Sequence, residues 1–144
     1  MRFITDYRSL NQQLVRNPHS LPRIGETLQQ LEGFQYTTAL DINMGYYTIR
    51  LPPTSQYTTT IVTKFGKLIY NCLPMGMSIL GDIFQADLDE ILGDIEGVKT
   101  YINDIIVLSK DSFENNIDQL KIIFGRLRAA GLKFNATRFS FGLK

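Results

Sequence analysis

The sequence predicts an α+β fold in which a mostly antiparallel sheet packs on helices. Segments rich in β-forming residues are mixed with amphipathic segments, without the strict alternation that is typical of a parallel α/β fold. The 144-residue chain is 44% hydrophobic and 20% charged, a composition typical of a globular domain with a buried core. We therefore expect one domain without internal repeats or low-complexity linkers.

Strands are predicted where β-branched and aromatic residues cluster between Gly, Pro, Asn and Asp. These segments are residues 36–41, 47–51, 58–63, 67–72, 98–102 and 105–108. Lys64-Phe65-Gly66 is expected to close a hairpin between the third and fourth segments, and Asn103-Asp104 is a favourable two-residue turn between the last two. The tail after Gly131 is expected to add a further strand.

Residues 78–92 and 112–130 have the apolar spacing of amphipathic helices. Ser112 is a suitable N-terminal cap for the second of these helices, and Gly131 is suited to end it. Three polar residues of the first helix are expected to lie away from its apolar face. They are Asp82, Gln85 and Asp89.

The region before the first strand combines a loop with a short helix. Ile24, Leu28 and Leu31 are spaced for one face of a helix that Gly33 would end. His19 lies in a loop that contains two prolines, and we interpret it as a surface residue.

Composition excludes several classes of protein. The net charge is only +1, so a nucleic-acid partner would have to be held by local basic patches or metal ions. The single cysteine, Cys72, excludes an internal disulfide framework and a cysteine-based zinc site. No apolar run approaches the ~18 residues of a membrane span, and the first residues lack the apolar core of a signal peptide. We expect a soluble intracellular protein without a membrane partner.

Two aspartates stand where they can act together. Asp41 ends one predicted strand, and Asp104 lies in a tight turn between two others. Carboxylates at neighbouring strand ends can converge on Mg²⁺, which prefers oxygen ligands, and two such ions can activate a 3′-hydroxyl for attack on a triphosphate. Aspartates are equally ordinary turn residues, so their spacing alone leaves both interpretations open.

Five blocks of sequence, taken in order, resemble the reverse transcriptases. Tyr101-Ile102-Asn103-Asp104 resembles their Tyr-x-Asp-Asp box, and the strand that ends on Asp41 resembles the one that carries their first catalytic aspartate. The other matching blocks are residues 6–11 (Asp-Tyr-Arg-Ser-Leu-Asn), 73–77 with 84–85 (Leu-Pro-Met-Gly-Met and Phe-Gln), and 127–135. The match extends over nearly the whole chain and is most similar to gypsy-type long-terminal-repeat retrotransposons.

The resemblance implies an RNA-directed DNA polymerase in which residues 1–144 form the palm with part of the fingers. Asp41 and Asp104 would then hold two Mg²⁺ ions, with help from the backbone carbonyl of Ile42. Tyr46 would lie under the sugar of the incoming nucleotide and select deoxynucleotides, although its ring is also suited to pack at the edge of a core.

The resemblance also implies contacts with the other substrates. Arg2 would bind the incoming triphosphate, as its planar guanidinium can bond two oxygens. Met75 and Gly76 would lie near the nucleotide or template, although a methionine is also a common core residue. Arg8, Gln85 and Tyr101 would be structural groups or lie on the template and primer side. The implied partners are an RNA or DNA template with its primer, deoxynucleoside triphosphates, and the thumb and RNase H domains of a polyprotein, which have no counterpart in this chain.

The chain departs from the family pattern at two places that matter for chemistry. Asn103 replaces the first aspartate of the box, and a neutral carboxamide is a poor substitute for an anion between metal ions. A loss of ~4 kcal/mol in transition-state stabilisation corresponds to a thousandfold in rate, so the sequence predicts very low or absent polymerase activity. Residues 78–81 (Ser-Ile-Leu-Gly) replace an alanine-proline or serine-proline step, which is expected to shift the start of the helix.

Two alternatives to an active polymerase domain follow. The first is a non-catalytic retroelement remnant that keeps the palm fold and binds nucleic acid weakly. The second is an unrelated α+β interaction domain, which predicts that the carboxylates of Asp41 and Asp104 lie more than roughly 10 Å apart, too far for bridged metal ions.

Overall fold

The computed structural model describes residues 5–20, 33–43 and 45–143, and their centre is an antiparallel sheet with two long helices against one face. The strands are β1 Tyr36–Asn43, β2 Ile61–Thr63, β3 Gly66–Leu68, β4 Val98–Tyr101, β5 Asp104–Ser109, β6 Lys133–Phe134 and β7 Ser140–Leu143. The long helices are α1 Leu80–Leu92 and α2 Phe113–Ala129. Short helical turns are formed by Arg8–Asn11, Gly45–Thr48, Pro53–Gln56, Tyr57–Thr59 and Ala136–Arg138.

The main sheet has the order β4-β5-β1-β6, and β7 also pairs with β1. Every strand pair in it is antiparallel. Strands β2 and β3 form a separate hairpin. The predicted α+β fold with an antiparallel sheet is confirmed. No helix within the described residues is long and apolar enough to cross a membrane.

The core lies between one face of the sheet and the two long helices. Alternate residues of β1 point to this face, where Leu40 and Ile42 meet Ile105 and Val107 of β5. The helices contribute buried side chains from both sides, namely Phe84, Leu88, Leu92, Leu120, Ile123 and Leu127. Burying a Leu or Ile side chain contributes ~1.5–3 kcal/mol, so this layer fixes which face of β1 and β5 points outward.

Most of the predicted elements are present, but the strand predicted at 47–51 is wrong. Residues 45–48 form a 3₁₀ turn instead, and only Arg50 makes an isolated bridge, to Cys72. The Tyr46 ring packs edge-on against Phe84, with 5.0 Å between centroids, so tertiary packing overrides the local preference for a strand. The helix predicted around Ile24, Leu28 and Leu31 lies outside the described residues.

The turn between β4 and β5 is shifted by one residue from its predicted position. Tyr101 pairs with Asp104, so Ile102 and Asn103 are the two turn residues and Asp104 is the first residue of β5. Ile102 has a φ of 52°, a left-handed conformation that strains a β-branched residue. This strain has to be offset by contacts of the turn with the rest of the molecule.

Gln85 of α1 supplies the main contact beneath this turn. Its Oε1 accepts a hydrogen bond from the Ile102 N–H at 2.7 Å, and its Nε2 donates to Asp89 Oδ1 at 2.9 Å and to Thr100 Oγ1 at 2.8 Å. Gln85 is fully buried and Asp82 is 4% exposed, although the sequence places both away from the apolar face of α1. Their burial is explained by polar partners on neighbouring segments, Arg16 for Asp82 and Thr100 for Gln85, which the apolar spacing of the helix does not indicate.

A segment that we call the N-terminal strap, residues 5–20, crosses the outside of α1. The Asn11 side chain donates to the Gly76 carbonyl and accepts from the Ser78 N–H, both at 2.8 Å. Arg16 makes two hydrogen bonds to Asp82, at 2.8 and 3.1 Å, and this guanidinium lowers the pKa of the Asp82 carboxyl. The strap is therefore held to α1 and to the loop before it by specific polar contacts.

Gly45 permits β1 to end close against α1. It is buried, and a Cβ atom at this position would collide with the Phe84 ring, at 2.7 Å from Cε2, and would lie 3.0 Å from Ile42 Cγ2. We predict that Gly45→Ala lowers the free energy of unfolding by ~1–3 kcal/mol, because overpacking displaces the ring or the turn. Urea denaturation followed by circular dichroism measures the change.

Gly125→Ala is the matched control for this substitution. Gly125 is exposed on α2 and has no atom within 4 Å of an added Cβ. Alanine there should raise the free energy of unfolding by ~0.5–1 kcal/mol through helix propensity. Equal effects of the two substitutions would contradict the proposed steric role of Gly45.

Gln85→Leu is predicted to loosen the β4–β5 turn. The buried Ile102 N–H and the Thr100 hydroxyl lose a partner, and each such loss costs ~1–3 kcal/mol. Amide hydrogen exchange at Ile102 should become faster. Gln119→Leu, which removes a glutamine that bonds Ser109 and Glu96 away from the turn, is the control and should leave exchange at Ile102 unchanged. An unchanged exchange rate in Gln85→Leu would refute the supporting role.

Candidate active site

Asp41 and Asp104 are direct partners in the register of β1 and β5. The Ile42 N–H donates to the Asn103 carbonyl at 2.8 Å, whereas the Asp41 carbonyl accepts from the Asn135 N–H on the opposite side of β1, also at 2.8 Å. Asp41 and Asp104 therefore form a non-hydrogen-bonded pair, a geometry with Cα atoms ~4.5 Å apart and side chains on one face. This proximity contradicts the alternative of an unrelated interaction domain.

The two carboxylates differ in their surroundings. Asp41 is 17% exposed, and its Oδ2 accepts from Asn135 Nδ2 at 3.1 Å. Its Oδ1 lies 4.0 Å from the exposed guanidinium of Arg138. Asp104 is exposed to solvent. Like charges directly opposite each other in a sheet are destabilising, so the pair carries an electrostatic cost that a cation bound to both carboxylates would offset.

Asn135 and Arg138 were not singled out from the sequence as site residues. They lie on the segment after α2, which returns antiparallel to β1 and pairs Ile42 with Phe134. The strand expected in the tail after Gly131 is present as β6 and β7, but the sequence did not indicate that this tail pairs with β1 beside Asp41. The short pairing nevertheless brings an amide and a guanidinium to Asp41.

Asn103 lies in the turn beside the two aspartates. Its Oδ1 is buried and has no hydrogen-bond partner among the described residues. Burial raises the pKa of the nearby Tyr46 hydroxyl, and a hydrogen bond with the Asn103 side chain acts in the opposite direction. An unpaired buried acceptor costs ~1–3 kcal/mol, so this oxygen is available to a ligand at the site.

The oxygen atoms around the turn suit a hard divalent cation such as Mg²⁺. Asp41 and Asp104 supply carboxylates, and Asn103 supplies an unpaired carboxamide oxygen. The Ile42 carbonyl faces the Asn103 side of β1, since the N–H and C=O of one strand residue point the same way. Within the described residues no group of three or more His, Cys, Asp or Glu is placed to hold a metal ion, so Asp41 and Asp104 are the two carboxylates of this donor set.

The other predicted site residues lie at different depths. Tyr101 is exposed opposite Asp104, while Tyr46 is half-buried between Asn103 and Phe84. Gln85 is buried beneath the turn, so it acts on the site through Ile102. These placements leave the assigned substrate contacts as predictions.

The remaining candidates lie on the strap and its neighbouring loop. Met75 is half-buried and Gly76 is exposed with a φ of 99°, next to the backbone of Thr5. Arg8 is exposed and pairs with Asp6 at 2.6 Å, which lowers the pKa of Asp6 to about 2. Arg2 lies outside the described residues. Contact of these residues with a nucleotide or template remains a prediction.

Relatives in sequence are polyproteins. The chain is 32% identical over 133 residues to an enzymatic polyprotein of Cestrum yellow leaf curling virus, covering 91% of this chain and 21% of the relative. It is 31% identical over 142 residues to the retrovirus-related Pol polyprotein from transposon 412 of Drosophila melanogaster, covering 97% of this chain and 11% of the relative. The chain thus spans about a fifth or less of the length of these relatives.

Solved structures have the same fold. The foamy viral protease-reverse transcriptase in complex with an RNA/DNA hybrid superposes with a TM-score of 0.86 at 22% identity, over 94% of this chain and 18% of that one. The native prototype foamy virus protease-reverse transcriptase gives a TM-score of 0.85 at 25% identity, over 99% of this chain and 19% of that one. These likenesses agree with the predicted palm architecture.

A family model described as reverse transcriptase (RNA-dependent DNA polymerase) matches residues 1–143. The match includes both aspartates of the cross-strand pair and the turn between β4 and β5. The resemblance inferred from the five sequence blocks is confirmed, and the chain belongs to the reverse transcriptase family.

Proposed function

We propose that Asp41, Asp104 and Asn103 form the nucleotidyl-transfer centre of an RNA-directed DNA polymerase domain within the polyprotein of a gypsy-type retrotransposon. The observation that carries the proposal is the cross-strand pairing of Asp41 with Asp104, beside an unpaired buried oxygen of Asn103. Membership of the reverse transcriptase family supports it. In this proposal residues 1–144 are the palm with part of the fingers, and the thumb and RNase H domains belong to other parts of the polyprotein.

The substrates of the proposed reaction are a primer on an RNA or DNA template and deoxynucleoside triphosphates. The foamy viral relative is a complex with an RNA/DNA hybrid, which supports this choice of template and primer. Mg²⁺, when bound, would supply stabilisation of the negative charge that develops on the transferred phosphate. Asp41, Asp104 and the Ile42 carbonyl would hold it.

Other residues of this chain would orient the substrates. Tyr46 is half-buried against Phe84, so its ring is held rigidly enough to exclude a 2′-hydroxyl from the sugar. Tyr101, exposed beside Asp104, would face the primer. Met75 and Gly76 would lie along the nucleotide or template, with Arg2 and Arg8 on the fingers side.

Asn103 makes this proposed polymerase slow. A carboxamide provides one neutral oxygen where the family pattern has an anion, so the charge of the bound cations is less well offset. The fold and the Asp41–Asp104 pair remain intact around it. No observation specifically favours the non-catalytic remnant, whereas the unpaired Asn103 oxygen supports a ligand role for this side chain.

Asn103→Asp is predicted to strengthen metal binding and restore activity. The added carboxylate should increase Mn²⁺ affinity at least tenfold, measured by electron paramagnetic resonance of free Mn²⁺. Primer extension by the chain joined to its thumb should rise by up to roughly a thousandfold, equivalent to ~4 kcal/mol. Asp41→Asn and Asp104→Asn should each abolish both effects.

The control for added charge is Asn115→Asp. Asn115 is exposed in the first turn of α2, beyond the Ser109 end of β5, so an aspartate there changes the net charge equally but far from the Asp41–Asp104 pair. Equal gains from Asn115→Asp and Asn103→Asp would refute a specific site. Failure of Asn103→Asp to add any nucleotide would refute the catalytic assignment.

A further inference from the structure

We propose that His19 is a positioning residue for the turn that carries Asn103 and Asp104, and that it acts through Asp89 and Gln85. The inference rests on the proposed function only for its catalytic consequence, because the coupling itself is structural. His19 is the one histidine of the chain, and it lies on the N-terminal strap, 70 positions before Asp89.

The first link joins the strap to helix α1. His19 Nε2 lies 2.8 Å from Asp89 Oδ2, and both side chains are 35% exposed. His19 is thus partly exposed, and it has a partner on α1 that the sequence did not indicate. Asp89 lies seven positions after Asp82, on the same side of α1, so the strap contacts two carboxylates in a row through Arg16 and His19.

The second link lies within the protein interior. Asp89 Oδ1 accepts from Gln85 Nε2 at 2.9 Å and from Thr100 Oγ1 at 2.7 Å. Since only the NH₂ group of a glutamine can donate, these bonds set the orientation of the Gln85 amide. The amide oxygen is then directed to the Ile102 N–H.

The third link is the turn itself. Ile102 has a left-handed φ of 52°, and its N–H bond to Gln85 Oε1 is short, at 2.7 Å. Asn103 follows directly, and its buried oxygen is unpaired. A change in the orientation or strength of the hydrogen bond from the Ile102 N–H to Gln85 therefore changes the backbone conformation of Ile102, which directly precedes Asn103.

Protonation of His19 provides the signal that this chain of contacts would transmit. Histidine is the side chain whose charge ordinarily changes between pH ~5 and ~8. The charged groups facing His19 are Asp89, Asp82 and Asp87 from α1 and Arg16 from the strap.

With its ring charged, His19 donates to Asp89 as one half of an ion pair. With its ring neutral, only one of the two tautomers can still donate. The partners of Asp89, and through them Gln85 and Ile102, are thus expected to respond.

Nuclear magnetic resonance of the ¹⁵N-labelled chain tests this coupling from pH ~5 to ~8. The His19 ring resonances and the Ile102 amide are followed together. We expect the Ile102 amide to titrate with the same midpoint as the ring, and His19→Gln, which keeps a neutral donor, to abolish that inflection. Asp89→Asn should also abolish it while His19 still titrates, which provides a second variant if His19→Gln does not fold.

Arg16→Lys is the matched control on the strap. It alters the neighbouring ion pair with Asp82 but leaves the contact of His19 with Asp89 in place, so the Ile102 inflection should remain. An Ile102 amide that does not titrate, or that titrates unchanged in His19→Gln, would overturn the proposal. This readout needs no polymerase activity, so absence of nucleotide addition in the other experiments would leave it standing.

Discussion

The antiparallel register between β1 and β5 is the constraint on which the candidate site depends. Leu40 and Ile42 must meet Ile105 and Val107 in the core, and a slip by one residue would turn these side chains to the outer face. The same register necessarily sets Asp41 opposite Asp104. The hydrophobic effect thus holds together two like charges that would otherwise separate, and a cation bound between them, as proposed above, would offset their repulsion.

A second, polar layer supports the strained part of this arrangement. The buried Gln85 and Thr100 connect α1 to the turn at Ile102, and Asp89 connects them to the strap. Hydrogen bonds in a buried network fix orientation more strictly than apolar contacts do, because each donor must meet an acceptor. The stability of the fold and the geometry of the site are therefore coupled through a small number of interior bonds.

Local signals in the sequence predicted much of this fold. Ser112 caps the start of α2 by accepting a hydrogen bond from the Asn115 N–H at 3.1 Å. Gly131 directly follows the C-cap residue of α2 and ends the helix with a left-handed φ of 75°. These predictions succeeded because capping, turn chemistry and alternation of apolar residues depend on neighbours in the sequence. That Asp41 and Asp104 lie together was predicted instead from the family resemblance of the five sequence blocks, and their direct pairing in the register of β1 and β5 agrees with it.

The failures share one cause, which is that distant contacts decided the outcome. The sequence pattern placed Gln85 and Asp82 away from the apolar face of α1, but it did not indicate that partners 15 or more positions away bury them. The turn at Ile102 adopts a conformation that its sequence disfavours, because Gln85 holds it. A strand was predicted after Gly131, but its pairing with β1, which brings Asn135 and Arg138 to Asp41, is a distant contact that the sequence did not indicate.

The central claim is that the register creates one cation site between Asp41 and Asp104. Anomalous diffraction from crystals of this chain grown with Mn²⁺ tests it most directly. We predict an anomalous peak at coordinating distance from both carboxylates, with Asn103 Oδ1 or the Ile42 carbonyl as a further ligand. A manganese ion bound elsewhere with no peak between the two aspartates would contradict it.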